Sequence, residues 1–158
     1  MKLENIFEKL WGAYTSQNPA VQEVYDLFIK EGERVVNDHI AFRTFDDPRI
    51  NIDVLAKPFL ANGYEERGTY HFEEKKLFAR HFEHTSDPEA PRVFISELLT
   101  KNFSPFLQET VKKAINRIAE DKLNSEELIF SGRLWEQSLR MRGQSLCRGR
   151  TIYIMLIS

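Results

Sequence analysis

The chain has 158 residues, a net charge of −2 and twelve Phe, which allows one domain with a sizeable hydrophobic core. That charge gives no reason to expect a nucleic acid or an anionic membrane as partner, and a single cysteine, Cys147, excludes an internal disulfide and any Cys-rich metal site. No charged-then-apolar start and no apolar run near about 18 residues marks a leader or a membrane span, so a cytoplasmic protein with no membrane partner is expected.

Leu3, Ile6, Phe7, Leu10, Trp11 and Tyr14 recur at helical spacing, and Gly12 weakens the end of that helix. Asn18-Pro19 predicts the cap and first position of a second helix, with Val21, Val24, Tyr25 and Phe28 as its apolar stripe. Both helices read as packing elements, with the aromatic stripe as core. Glu31-Gly32-Glu33 ends the second one, and Asp46-Asp47-Pro48 ends the strand that follows. Ile52, Leu55, Phe59 and Leu60 predict a third helix stopped at Asn62-Gly63; Pro58 inside it implies a kink or a later start.

Tyr64 to Phe72 reads as a strand interrupted at Gly68, and Lys75 to Glu83 as its neighbour, with Glu73-Glu74 as the turn. A loop at 85–91 precedes a short strand from Arg92 to Leu98. Ser104-Pro105 opens an amphipathic helix carrying Phe106, Leu107, Val111, Ala114, Ile115 and Ile118, and a short segment begins at Asn124-Ser125. The fold class is α+β: two N-terminal helices, one βαβββ module and a following helix. By analogy, such modules make up vicinal-oxygen-chelate folds, usually in pairs with a metal between the two sheets.

The strand from Val36 to Phe45 carries the chemistry. Its alternation puts His39, Ala41, Arg43 and Phe45 on one face and the apolar set Ile40, Phe42 and Thr44 on the other, with Asp38 on that second side. An imidazole can hold a metal and a guanidinium a carboxylate. The plainer alternative is a half-buried strand with a hydrogen-bonded His and a solvated Arg.

Several motifs carry a resemblance. Asn37-Asp38-His39-Ile40-Ala41-Phe42-Arg43-Thr44-Phe45, then Gly63-Tyr64, Tyr70-His71-Phe72 with Lys75-Lys76-Leu77-Phe78-Ala79, and Val93-Phe94-Ile95-Ser96-Glu97-Leu98 follow one another as in the 2-oxoadipate dioxygenase/decarboxylase family, the hydroxyglutarate synthases. The chain resembles that family from its N-terminus to about Trp135. The resemblance implies non-haem Fe(II) held by two His and one carboxylate, and the conversion of 2-oxoadipate and O₂ to 2-hydroxyglutarate and CO₂ in lysine breakdown. It assigns His39 as a metal ligand and Arg43 as the catalytic-site anchor of a small 2-oxo acid; beside them, Asn37 or Asp38 either hydrogen-bonds nearby backbone or orients the ring, as partners of metal-binding histidines commonly do.

The family's second His and its Glu lie in a second module, and no His follows His84. The second module therefore reads as missing, and a non-catalytic carboxylate-binding module or an inactive fragment is the alternative function. Glu97 offers a substitute ligand if a homodimer doubles a His39/Glu97 pair; otherwise it is a structural carboxylate near Ser96 and Thr100. His71, His81 and His84 read as surface titrating groups, although His81 and Glu83 share a face as ligand pairs do. Lys75 and Lys76 either add positive potential for a dianion or guard an exposed hairpin edge.

Residues 1–134 thus form the dioxygenase-like portion, and 135–158 an atypical tail. From Arg133 onward stand five of the twelve Arg but no Lys, Phe or Asp. An out-of-frame end or a disordered tail explains that shift better than a basic arm for membrane or nucleic acid.

Overall fold

Alternating branched and aromatic side chains decide which side of the sheet is covered. In the computed structural model, which describes residues 1–132, strand β1 (His39–Phe45) buries Ile40, Phe42 and Thr44. Strand β4 (Arg92–Leu98) buries Val93 and Ile95 in register with them, and Phe82 of strand β3 (Leu77–His84) continues the layer. Strand β2 (Tyr64–Phe72) completes a sheet of order β1-β4-β3-β2. β1 and β4 run parallel; the other neighbours are antiparallel. This is the expected βαβββ module.

Helix α1 (Leu3–Gln17) and helix α3 (Ile52–Leu60) supply the other half of the core. Ile6, Leu10, Ile52, Leu55, Ala56 and Phe59 pack with the covered side of the sheet, and the Phe59 ring meets Phe42 at 5.7 Å and Tyr64 at 5.8 Å. Asn51 caps α3 by accepting from Val54 N–H at 3.1 Å. The helix runs through Pro58 without a later start. Asn62 Nδ2 donates to the Pro58 carbonyl at 2.7 Å, and Gly63, at φ +86°, turns the chain into β2.

Helix α2 (Pro19–Lys30) departs from expectation. It buries none of its residues; Val24, Leu27 and Phe28 are at least half exposed, and the Tyr25 ring meets Trp11 of α1 at 5.1 Å. The apolar stripe is real, but the described residues do not cover it. Asn18 stands at its N-cap without a side-chain cap bond.

Two further corrections are local. The β2–β3 turn spans Glu73–Lys76 and not Glu73-Glu74 alone, because Lys76 adopts φ +52° and its N–H bonds the Glu73 carbonyl. That left-handed residue is held in place: Lys76 Nζ donates to Asn102 O at 2.6 Å and lies 4.5 Å from the Phe103 ring centroid. Helix α4 (Pro105–Ile115) is capped by Ser104 as expected but stops before Ile118, and Phe106 is exposed. A short helix α5 (Glu120–Leu123) and a 3₁₀ turn at Glu126–Phe130 follow, the latter burying Leu128 and Ile129. The boundary after residue 134 and the atypical tail lie outside the described residues.

Candidate functional site

The side of the sheet turned away from the helices is the open one. His39, Ala41 and Arg43 stand on it, in register with Arg92, Phe94 and Ser96 of β4 and, beyond them, His81 and Ala79 of β3. Gly68, Tyr70 and Phe72 of β2 extend the same face. The imidazole and the guanidinium therefore project from a common side, as alternation requires.

β1 begins at His39, so Asp38 is not bound by the strand's alternation, and its carboxylate turns back to the ring. His39 Nδ1 donates to Asp38 Oδ2 at 2.7 Å. Asp38 therefore does not face the opposite side, as a longer strand would have required. The hydrogen bond from His39 holds the Asp38 carboxyl below the usual carboxylate range, ahead of the smaller pull of Arg92. With Nδ1 engaged, Nε2 is the nitrogen left to bind a ligand, which is the arrangement metal-binding histidines use. The ring stays partly accessible, at 24% side-chain exposure, with its edge against Phe94 at 5.6 Å. The Arg43 guanidinium is exposed and makes no ion pair among the described residues.

Glu97 is not part of this face. It lies opposite Thr44 on the covered side and accepts from Ile52 N–H at 3.1 Å, at the start of α3. Burial pushes its carboxyl up, with neighbouring Asp46 adding to the effect. The pairing of His39 with Glu97 as metal ligands is thereby overturned, and the structural role holds with a different donor. Asp46, at the end of β1, takes the Thr100 N–H and hydroxyl instead. His71 is exposed, as expected, with its ring against Phe78, and His84 Nδ1 accepts from Asp87 N–H at 3.0 Å to shape the loop after β3. His81 is not a surface group: it is 14% exposed and stacks on Phe94 at 5.2 Å.

A polar chain that sequence reasoning did not find joins the two imidazoles of the open face. Asp38 reaches Arg92 Nη1 at 3.7 Å, and Arg92 Nε donates to Glu83 Oε1 at 3.2 Å. The same Glu83 oxygen lies 3.5 Å from His81 Nε2, and His81 Nδ1 is 3.0 Å from the Tyr70 hydroxyl. The periodicity put His81 and Glu83 on one face, but the partnership of Tyr70 depends on strand register.

A cavity of about 870 Å³ lies on the helical side, lined by Lys57, Pro58, Asn116 and Leu128 among others. None of the open-face residues lines it. Among the described residues, no group of three His, Cys, Asp or Glu is placed to hold a metal ion, so His39 fits as one ligand of a set that these residues do not complete. No helix among them is long and apolar enough to cross a membrane.

The site is thus a βαβββ sheet that presents an imidazole and a guanidinium on its open face. The model of the 2-oxoadipate dioxygenase/decarboxylase family matches residues 6–142, and the chain belongs to that family. The match runs past Trp135, where the motif resemblance ends. Two curated relatives carry that enzyme name: one from Oryza sativa subsp. japonica, 32% identical over 85% of this chain and 40% of its own length, and one from Arabidopsis thaliana, 31% identical over 92% and 43%. The chain thus spans about two fifths of the length of these relatives.

Among solved structures, the hydroxyglutarate synthase of Oryza sativa in complex with 2-oxoadipate is 30% identical at TM-score 0.72, covering 81% of this chain and 44% of that one. A protein of Shewanella frigidimarina NCIMB 400, described as a hydrolase, is 40% identical at TM-score 0.77 over 87% of this chain and 56% of that one. A glyoxalase superfamily protein of Ralstonia eutropha JMP134, 24% identical at TM-score 0.61 over 85% and 42%, shares the fold. A family of dioxygenases on this fold implies a metal cofactor. The expectation of a cytoplasmic protein is corrected: the two plant relatives are named chloroplastic/amyloplastic and chloroplastic, which places those proteins in plastids and not in the cytoplasm.

Proposed function

We propose that the chain supplies one wall of an Fe(II) site that decarboxylates and hydroxylates a small 2-oxo acid, with 2-oxoadipate as substrate and 2-hydroxyglutarate and CO₂ as products. The observation that carries this reading is the common face of His39 and Arg43, with Nδ1 of His39 already engaged by Asp38. His39 gives Nε2 to the metal. Arg43 gives a planar pair of donors to a carboxylate, a geometry that Lys does not reproduce. Bound Fe(II) would supply the redox chemistry and the open positions that a 2-oxo acid and O₂ need.

The remaining ligands do not come from the described residues of one chain, so the complete centre needs groups from elsewhere, either further sequence or a second copy. A carboxylate-binding module without turnover is the second reading, and the exposed Arg43, without an ion pair among the described residues, favours it independently of iron. Iron content and CO₂ release from 2-oxoadipate under air separate the two. Turnover lost in both His39→Ala and Arg43→Ala supports the first. Iron-free binding of 2-oxoadipate that disappears in Arg43→Ala supports the second. Binding that is indifferent to Arg43 removes both.

A further inference from the structure

The open face holds a second polar constellation, built around a close backbone approach. Gly68 lies under His81: a Cβ there would sit 2.9 Å from His81 Cε1 and 3.0 Å from Nδ1. Only a glycine lets the imidazole lie down over β2, where its Nδ1 meets the Tyr70 hydroxyl at 3.0 Å. The other ring nitrogen faces Glu83 at 3.5 Å. His81 is held on one side by Phe94 and is nearly covered, whereas Tyr70 remains 39% exposed. A ligand on this face therefore meets the Tyr70 hydroxyl with the more covered His81 behind it, while the partly exposed Glu83 faces the ring's other nitrogen.

We propose that Tyr70, backed by His81 and Glu83, is a second anchoring point for a dicarboxylate, and that its use is coupled to proton uptake at His81. This rests on the reading of Arg43 as the first anchor. Arg43 and Tyr70 belong to one row of the sheet, with Ser96 and Ala79 between them. Their backbones are three strand spacings apart, about 14 Å, over a floor of small side chains. That span suits a short dianion reached by two long side chains, one from each end.

The proton accounting follows from the donors. Without ligand, the Tyr70 hydroxyl donates to neutral His81 Nδ1, and Nε2–H points to Glu83. When a carboxylate arrives, the hydroxyl turns its hydrogen to the carboxylate oxygen. His81 Nδ1 then takes a proton from the buffer and donates it to the phenolic oxygen. No covalent bond to carbon forms or breaks, and the net change is one proton gained. The charged groups around the ring are Glu83, Arg92 on β4, and Glu65 with its neighbour Arg67 on β2; Asp38 and His39 stand beyond β4. Because one proton is taken up with the ligand, binding should tighten as pH falls, by at most about tenfold per pH unit.

The test is calorimetry of 2-oxoadipate binding to the full chain with Fe(II) under argon, in buffers of different ionisation enthalpy. The expected result is net proton uptake in the wild type that vanishes in Tyr70→Phe and His81→Asn. Tyr70→Phe keeps the ring and so keeps the fold; it should weaken binding about ten- to a hundredfold, the worth of a hydrogen bond to a charged group. Uptake unchanged in either variant, or equal uptake with the monocarboxylate 2-oxohexanoate, overturns the proposal while leaving Arg43 as anchor. Absence of any 2-oxoadipate binding to the wild type overturns both, and binding that ignores Arg43→Ala overturns the parent reading.

Discussion

Asp38 and His39 are neighbours in sequence, and their side chains meet at 2.7 Å because β1 starts at the histidine and leaves the aspartate free to turn back. The carboxylate fixes which nitrogen of the ring carries hydrogen. An asparagine in its place keeps the size but gives up the charge. We expect Asp38→Asn to weaken Fe(II) or Co(II) binding about 10–100-fold, the usual cost of losing such a partner. Competitive metal titration against a chromophoric chelator measures it. Equal affinity in the two proteins would show that the carboxylate does not tune the ring.

Gly68 is required for space, not for backbone angle. Gly68→Ala pushes a methyl group into His81, whose ring is backed by Phe94 and has little room to give. Overpacking of this kind typically costs about 1–3 kcal/mol. Urea unfolding should show that loss, and the His81 ring signals in a proton NMR spectrum should shift. A variant as stable as the wild type would mean that the ring moves away freely.

Glu97 ties the sheet to α3. Burial, above all, raises its carboxyl's pKa, so the folded chain holds this proton more tightly than the unfolded one. The residue's contribution is therefore complete below the ordinary glutamate range. It declines as pH rises from there through the raised folded value. Glu97→Gln removes that decline and keeps an acceptor for Ile52 N–H, so it should gain on the wild type as pH rises above the ordinary glutamate range. Glu97→Ala, which leaves the Ile52 N–H without its acceptor, should cost about 1–3 kcal/mol below the ordinary glutamate range and less as pH rises, because it too removes the titrating group. Chemical denaturation across pH checks both, and a pH-independent difference for the Gln variant contradicts the account.

The two N-terminal helices should respond differently to the same substitution. Leu10 of α1 is buried at 1% exposure, whereas Leu27 of α2 is 60% exposed. Leu10→Ala should cost about 2–5 kcal/mol through lost burial and a cavity. Leu27→Ala should stay within about 0.5 kcal/mol. Paired urea melts test the contrast, and a large loss at Leu27 would show that α2 is covered in solution.

Period-2 and period-3.6 patterns are written locally, and so the sequence alone determined the βαβββ order, the cap residue Ser104, and the shared face of His39 and Arg43. Each of these depends on spacing within one segment, and backbone geometry converts spacing into direction. It could not decide what covers a stripe: α2 and Phe106 show the apolar pattern of buried surface yet lie exposed, since burial depends on a second surface that local pattern does not contain. Nor could it decide register. Only the pairing of β2 with β3 lays Tyr70 over Gly68 against His81, and only the turn of the chain before β1 sends Asp38 back to His39. Alternation along β4 already puts Glu97 on the side of Val93 and Ile95, but only the packing of α3 on the sheet supplies its partner, the Ile52 N–H.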